Sequence, residues 1–132
     1  MLEVRASVLG AVDQGGDAVS RSEREIETEV RVALSKAHLQ VWKHRIELCP
    51  QCGAKPKRGQ GLGLGASDLV CVVPPYGRFV AIEMKRPETR GDTTDEQDRW
   101  LEQVRKYGGV AGVATSVDEA FSFIELARKV SW

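Results

Sequence analysis

Three charged residues stand at the ends of two short apolar runs in the middle of the chain. Asp68 precedes the run Leu69–Val73, and Glu83 and Lys85 close the run that begins at residue 79. Both runs are rich in β-branched residues, and the Pro-Pro-Tyr-Gly-Arg segment between them is typical of a turn. In an antiparallel hairpin the start of one strand lies beside the end of the next, so we expect Asp68 to lie beside Glu83 and Lys85.

Two carboxylates and an ammonium in one place could hold a divalent metal ion. Like charges in a partly apolar setting are costly unless a cation neutralises them. Mg²⁺ prefers one or two carboxylates with water and phosphate oxygens, and a lysine nearby can orient a water or stabilise charge on a phosphate. The residues alone leave a second interpretation open, in which Glu83 and Lys85 form an ion pair at a strand end and Asp68 is incidental.

Composition is that of a single small globular domain. The chain has 132 residues, of which 42% are hydrophobic and 29% charged, and its formal net charge is zero, so any basic surface that binds DNA must be local. Because no apolar run approaches membrane-spanning length and the N-terminus lacks the apolar core of a signal peptide, we expect no membrane association and a cytoplasmic location with reduced cysteines. We expect residues 1–21 to form an N-terminal arm and residues 22–132 to form the domain.

An amphipathic helix is predicted from Ser20 or Ser22 to about Ala37. Glu23 stands three residues before Ile26 and so falls on the apolar stripe of this helix. A carboxylate at that place is also explained by the helix dipole. The residues predicted to be buried on this helix are Ile26, Val30, Ala33, Leu34 and Ala37.

Cys49 and Cys52 follow a partly alternating strand predicted over residues 39–48 and resemble half of a zinc knuckle. A structural zinc site needs four ligands. The only remaining cysteine, Cys71, lies in an apolar strand, so a second ligand pair would need His44 or another chain. We therefore favour a turn over a structural zinc site, which stays open as the alternative.

Basic residues and glycines fill the connection to the hairpin. Lys55, Lys57 and Arg58 precede the glycine-rich segment 59–65. This segment fits neither a phosphate-binding P-loop nor a dinucleotide fingerprint, because no helix begins after it. The segment could contact the phosphate backbone of a nucleic acid, or it could be a mobile linker.

A second helix is predicted to begin at Thr94, with Gln97 in capping-box position. Its apolar face comprises Trp100, Leu101, Val104 and Tyr107. A buried strand at residues 110–114 and a closing helix at residues 117–129 follow, the latter with Ala120, Phe121, Ile124 and Leu126 inward. The order α-β-β-β-α-β-α predicts an α/β fold, a small mixed sheet flanked by helices.

These motifs together resemble the VRR-NUC family of the PD-(D/E)xK nuclease superfamily. The resemblance covers roughly residues 22 to 124 and is most specific in the order of its elements. One departure is Ser67, where the family's name expects proline. The matching segments are Ser22 to Ile26, Asp68, Glu83-Met84-Lys85, Arg86-Pro87, Thr94 to Gln97 and Gly108 to Ala114.

The resemblance implies a restriction-endonuclease-like core and a metal-dependent DNA endonuclease. Asp68, Glu83 and the Met84 carbonyl would hold Mg²⁺ or Mn²⁺, and Glu23 would complete the acidic site. Lys85 would position the attacking water or stabilise charge on the phosphorane, with Gln97 in a supporting role. Basic residues expected to contact DNA are Lys55, Lys57, Arg58 and Arg86.

As a stand-alone domain of this size, the chain resembles the phage and prophage members of the family. That resemblance implies resolution of Holliday (four-way) junctions by a homodimer, in a bacterial or phage-infected cell. Two symmetric cuts need two active sites, and a two-fold dimer supplies them. Two alternatives stay open: a nuclease for flaps or other branched DNA, and a non-catalytic module that binds DNA or recruits a partner.

Overall fold

The computed structural model describes residues 21–44, 49–54, 62–63 and 65–129. Its elements follow the predicted order α-β-β-β-α-β-α, with one short 3₁₀ turn at Pro87–Thr89. Two predicted features lie outside the described residues. They are the N-terminal arm, apart from Arg21, and the basic residues Lys55, Lys57 and Arg58. The elements are α1 (Glu23–Lys36), β1 (Gln40–Lys43), β2 (Leu69–Val73), β3 (Arg78–Met84), α2 (Asp95–Lys106), β4 (Val110–Ala114) and α3 (Val117–Lys129).

The four strands form one mixed sheet in the order β1-β2-β3-β4. β2 pairs antiparallel with both β1 and β3, and β4 pairs parallel to β3. Leu69 pairs with Ile82 in the antiparallel register. Because Asp68 precedes Leu69 and Glu83 follows Ile82, these two residues lie opposite each other. Parallel pairing requires a crossover connection, which α2 provides.

Helices cover the sheet on both faces. The larger core lies between the sheet and the helices α1 and α3, while α2 packs on the other face through Leu101 against Ala81 and Ala111. Because strand residues alternate between faces, the core positions Ile82 and Met84 direct Glu83 toward the α2 side. Buried residues of the larger core include Val30, Leu34, Leu69, Val80, Ile82, Met84 and Ile124.

Side-chain caps set the starts of α1 and α2. The hydroxyl of Ser22 accepts a hydrogen bond from the Glu25 amide at 3.1 Å, and the hydroxyl of Thr94 accepts one from the Gln97 amide at 3.1 Å. Both residues satisfy amides that have no partner within the helix. The predicted helix starts at Ser22 and Thr94 are therefore confirmed.

Two predicted core residues are exposed. Tyr107 is 81% exposed because it caps the C-terminus of α2 and lies beyond its packed turns. Leu126 is 50% exposed, and the neighbouring Ala127 occupies the buried position on α3. The first strand is also shorter than predicted: β1 ends at Lys43, and residues 45–48 lie outside the described residues.

Candidate active site

A cleft of about 470 Å³ opens beside the end of the sheet where β1 ends and β2 begins. It lies between the first turns of α1 and α2 and also contacts the glycine-rich segment. The cleft brings together residues that are far apart in the sequence. Its lining residues are Glu23, Arg24, Glu27, Lys43, His44, Gly65, Ala66, Asp68 and Gln97.

Asp68 is fixed to the end of β3 by its side chain. Its Oδ2 atom accepts a hydrogen bond from the Met84 amide at 2.9 Å. Burial raises the pKa of the Asp68 carboxyl, and the charges of Glu23 and Glu27 raise it further, against the lowering effect of the Met84 hydrogen bond. The predicted juxtaposition of Asp68 with the end of β3 is therefore present.

Glu83 is a buried carboxylate, only 3% exposed. Its Oε1 atom accepts a hydrogen bond from Nε2 of Gln97 at 2.7 Å. Its Oε2 atom is buried and has no hydrogen-bond partner among the described residues. Burial, and next the charge of Asp68, raise the pKa of Glu83 from its ordinary 4.5 to about 8, although the charge of Lys85 lowers it in part.

The donor set fits a divalent cation. An unsatisfied, buried carboxylate oxygen is costly, and a metal ion would remove that cost together with the repulsion between Asp68 and Glu83. Within the part of the chain that the structure describes, no three His, Cys, Asp or Glu side chains form a closed metal cluster. The fit therefore rests on two carboxylates with further oxygens from water or backbone, which is the mixed coordination that Mg²⁺ accepts.

Helix α1 contributes two carboxylates to this region. Glu23 is exposed and lines the cleft, and its charge acts on both Asp68 and Glu83. Glu27, one turn later, is only 7% exposed and forms an ion pair with Lys43, whose Nζ lies 2.7 Å from Oε2 of Glu27.

Neither Glu27 nor Lys43 was among the predicted site residues. Glu27 stands three residues before Val30 and seven before Leu34, which are both buried. That spacing places Glu27 on the same stripe as the apolar residues. Lys43 shares a strand face with Val41, which packs against the core.

The other predicted site residues lie near the carboxylates. Lys85 is half-buried, and its amide donates to the Ala114 carbonyl at 3.0 Å, directly after the end of β3. The Met84 side chain is fully buried in the core. Gln97 is half-buried at the start of α2 and contacts Glu83, as given above.

The glycine-rich segment is tied to the cleft by three contacts. Nε2 of His44 accepts a hydrogen bond from the Leu62 amide at 3.2 Å, and Nε1 of Trp100 donates to the Leu62 carbonyl at 3.1 Å. The His44 amide in turn donates to the Asp68 carbonyl at 2.7 Å. Gly65 packs so closely on α2 that an added Cβ would lie 2.4 Å from the Glu96 carbonyl.

Arg86, which we predicted to contact DNA, lies next to Lys85. It is half-buried, and its guanidinium is 3.6 Å from the Glu88 carboxylate. Its amide donates to the hydroxyl of Thr89 at 3.2 Å. These contacts hold the start of the 3₁₀ turn against the end of β3.

The three cysteines have different environments. Cys49 and Cys52 lie in the predicted turn, in which the Gly53 amide donates to the Cys49 carbonyl at 2.8 Å. Backbone amides of Cys52 and Gln51 lower the pKa of the Cys49 thiol. Cys71 is fully buried, which raises the pKa of its thiol to about 12.

A family model for the VRR-NUC domain matches residues 19–118, well over half of the chain. The chain belongs to the VRR-NUC family. Membership in VRR-NUC identifies a nuclease domain and implies DNA as its substrate. The sheet flanked by helices agrees with the restriction-endonuclease-like core predicted above. In this VRR-NUC domain Ser67 is buried, and its hydroxyl donates to the Leu69 carbonyl at 2.9 Å, so the departure at that position is accommodated locally.

No curated protein and no solved structure matches the VRR-NUC chain. None of the helices in the described ranges has the length and apolar character to span a membrane.

Proposed function

We propose that this VRR-NUC domain is a metal-dependent DNA endonuclease that hydrolyses phosphodiester bonds. One observation supports this most directly: Oε2 of Glu83 is buried without a hydrogen-bond partner among the described residues, beside the strand that holds Asp68. A protein interior does not retain such a group for stability, because leaving it unpaired costs free energy. A bound cation removes that cost.

In the proposed mechanism Asp68 and Glu83, with the Met84 carbonyl, would hold Mg²⁺ or Mn²⁺, and Glu23 would complete the acidic site from α1 directly or through water. The cation would supply Lewis-acid charge and lower the pKa of a water molecule used as nucleophile. Gln97 holds Oε1 of Glu83 by a hydrogen bond and so orients this carboxylate.

Lys85 would act on the reacting phosphate. It follows Glu83 by two residues, so both side chains start from the same face of the sheet. Its charge already acts on the Glu83 carboxyl. An ammonium at this place positions the attacking water or stabilises the charge that develops on the phosphorane.

The substrate we propose is a four-way DNA junction, cut by a homodimer. The resemblance to small phage and prophage members supports this substrate, and two symmetric cuts require one active site on each of two chains. The basic residues Lys55, Lys57, Arg58 and Arg86 would contact the backbone of the junction. A flap nuclease and a non-catalytic DNA-binding module are the competing hypotheses.

The test is a cleavage assay on a synthetic four-way junction, a flap and plain duplex, each with Mg²⁺, Mn²⁺ or EDTA. We expect paired, symmetric nicks on the junction that require metal and are lost in Glu83→Ala. Glu102→Ala, an exposed change on α2, is the matched control and should cut normally. Light scattering on the same preparation measures the mass of the particle that binds the junction.

The possible outcomes separate the hypotheses. Metal-dependent cutting of the flap alone would replace the resolvase with a flap nuclease. Junction binding without cutting by the folded wild-type protein would contradict catalysis and favour the binding module. Cutting by Glu83→Ala at the wild-type rate would contradict the site itself.

A further inference from the structure

The ion pair between Glu27 and Lys43 lies inside the cleft and has no part in the mechanism above. Lys43 is the last residue of β1 and pairs with Leu69, the neighbour of Asp68. Its Nζ atom is 2.7 Å from Oε2 of Glu27, a carboxylate that is only 7% exposed. The pair therefore fixes one ammonium beside the acidic residues.

Stability alone explains this pair poorly. Removing two charges from water is expensive, and apolar residues of similar volume commonly stabilise a fold as well or better. Glu27 also lies on the apolar stripe of α1, one turn before the fully buried Val30. A hydrophobic side chain there would extend the core.

The charge around the cleft supplies a functional reason. Glu23, Glu27 and Asp68 line it, and Glu83 contacts the lining residue Gln97. These carboxylates repel the phosphates of DNA, so a nuclease needs fixed positive charge beside them. A lysine ammonium has three N–H donors, and one carboxylate oxygen occupies only one of them.

We propose that Lys43, held in place by Glu27, binds a backbone phosphate of DNA on the α1 side of the cleft. This inference rests on the proposed function, since it assumes DNA as the substrate. Lys43 binds the phosphate next to the scissile one, and Glu27 is a positioning residue that acts through Lys43. The recognised chemistry is a phosphodiester oxygen and not a base.

The test measures DNA binding by fluorescence anisotropy across a range of KCl concentrations, with Glu83→Ala as the non-cutting parent. Each phosphate contact contributes about 0.9 to the slope of log K against log salt concentration. We expect Lys43→Gln to weaken binding and to reduce that slope by about 0.9, and Lys43→Arg to restore most of it. Lys36→Gln at the far end of α1, about 14 Å from Glu27 by helical rise, should leave the slope unchanged.

A double variant serves as the control for a folding defect in Lys43→Gln. Lys43→Gln leaves the buried Glu27 carboxylate without its cation, which destabilises a fold. The double variant Glu27→Gln with Lys43→Gln removes both charges, so its fold no longer carries that defect. We expect it to show the same loss of slope, and thermal unfolding will show that it is folded.

Cleavage kinetics give an independent readout of the positioning role. In the active protein Lys43→Gln should raise KM about tenfold, the loss of one contact of about 1.4 kcal/mol, with a smaller fall in kcat, because a flanking phosphate is bound equally before and during reaction. Glu27→Gln should retain the slope of DNA binding and raise KM by less than Lys43→Gln does, with little change in kcat, because Lys43 is then present but less well placed. Glu27→Asp should recover part of the loss in KM.

Two outcomes of the binding experiment distinguish the role of Lys43 from the proposed nuclease function. If the Glu83→Ala parent binds no DNA, both the proposed function and the role of Lys43 are contradicted. If the parent binds DNA and the folded double variant keeps its affinity and slope, only the role of Lys43 is overturned, and the pair is structural.

Discussion

Nε2 of Gln97 lies 2.7 Å from Oε1 of Glu83 and donates a hydrogen bond to it. The carbonyl oxygen of the same amide accepts from the Thr94 backbone amide at 2.9 Å. One side chain therefore closes the capping box of α2 and orients a buried carboxylate. The start of this helix and the geometry of the candidate site are coupled through Gln97.

Variants of Gln97 and Thr94 should separate these two roles. We expect Gln97→Ala to lower cleavage about tenfold or more, because Glu83 loses the side-chain hydrogen bond that orients its carboxylate. Thr94→Ala removes the cap and should cost about 1 kcal/mol of stability with a smaller effect on activity. Chemical denaturation and cleavage rates measured on both proteins test this. Equal loss of activity in the two variants at equal stability would contradict a separate role for Gln97.

Metal binding should be visible as stabilisation of the protein. Mg²⁺ at about 100 times its dissociation constant should stabilise the wild-type fold by about 2.7 kcal/mol. Glu83→Gln and Asp68→Asn should remove most of that gain and reduce cleavage at least about 100-fold, since each deletes a carboxylate proposed to hold the metal. Thermal unfolding with and without the metal measures the effect, with Glu102→Gln as control. Unchanged stabilisation in Glu83→Gln would place the cation elsewhere.

The stability of the metal-free protein should fall as pH rises through the neutral range. Glu83 has an ordinary pKa of 4.5 and a pKa of about 8 in the folded protein. Between these pH values the folded state binds more protons than the unfolded chain, so the free energy of unfolding decreases with rising pH. The raised pKa of Asp68 acts in the same direction.

Denaturation in EDTA from pH 5 to pH 9 checks this expectation. The difference in unfolding free energy between wild type and Glu83→Gln should shrink or turn against the wild type as pH rises, and it should level off above the folded pKa of about 8. A difference that does not change with pH would contradict the raised pKa of Glu83.

Two glycines of the same segment provide a matched steric test. Both have positive φ, +81° at Gly65 and +101° at Gly63. A Cβ at Gly65 would lie 2.8 Å from the Gln97 amide nitrogen, whereas one at Gly63 would meet no described atom within 4 Å. We expect Gly63→Ala to cost about 1 kcal/mol from backbone strain alone.

Gly65→Ala adds a clash with helix backbone to the same strain, so it should cost about 2 to 4 kcal/mol. It should also reduce cleavage, because the start of α2 must move and Gln97 moves with it. Denaturation and activity of the two variants measured side by side test the argument. Equal costs for the two substitutions would show that the contact between Gly65 and α2 is not maintained.

The sequence was a good guide to the elements and to one pair of site residues. The strand at Leu69–Val73, the strand at Val110–Ala114 and the helix at Val117–Lys129 have their predicted bounds. The opposition of Asp68 and Glu83 followed from hairpin pairing, which is a local rule. Tyr107 and Leu126 were misplaced because helical periodicity does not reveal where the neighbouring layer ends.

The order of the elements, the cap at Thr94 and the hairpin that brings Asp68 beside Glu83 could be predicted from the sequence, which left Ser20 and Ser22 open as the cap of α1. These features depend on residues that are close along the chain or related by a single turn. Two further features could be seen only in the folded chain: Oε2 of Glu83 is buried without a hydrogen-bond partner among the described residues, and Glu27 pairs with Lys43. Burial and pairing across elements depend on how the helices pack on the sheet, which no local pattern specifies.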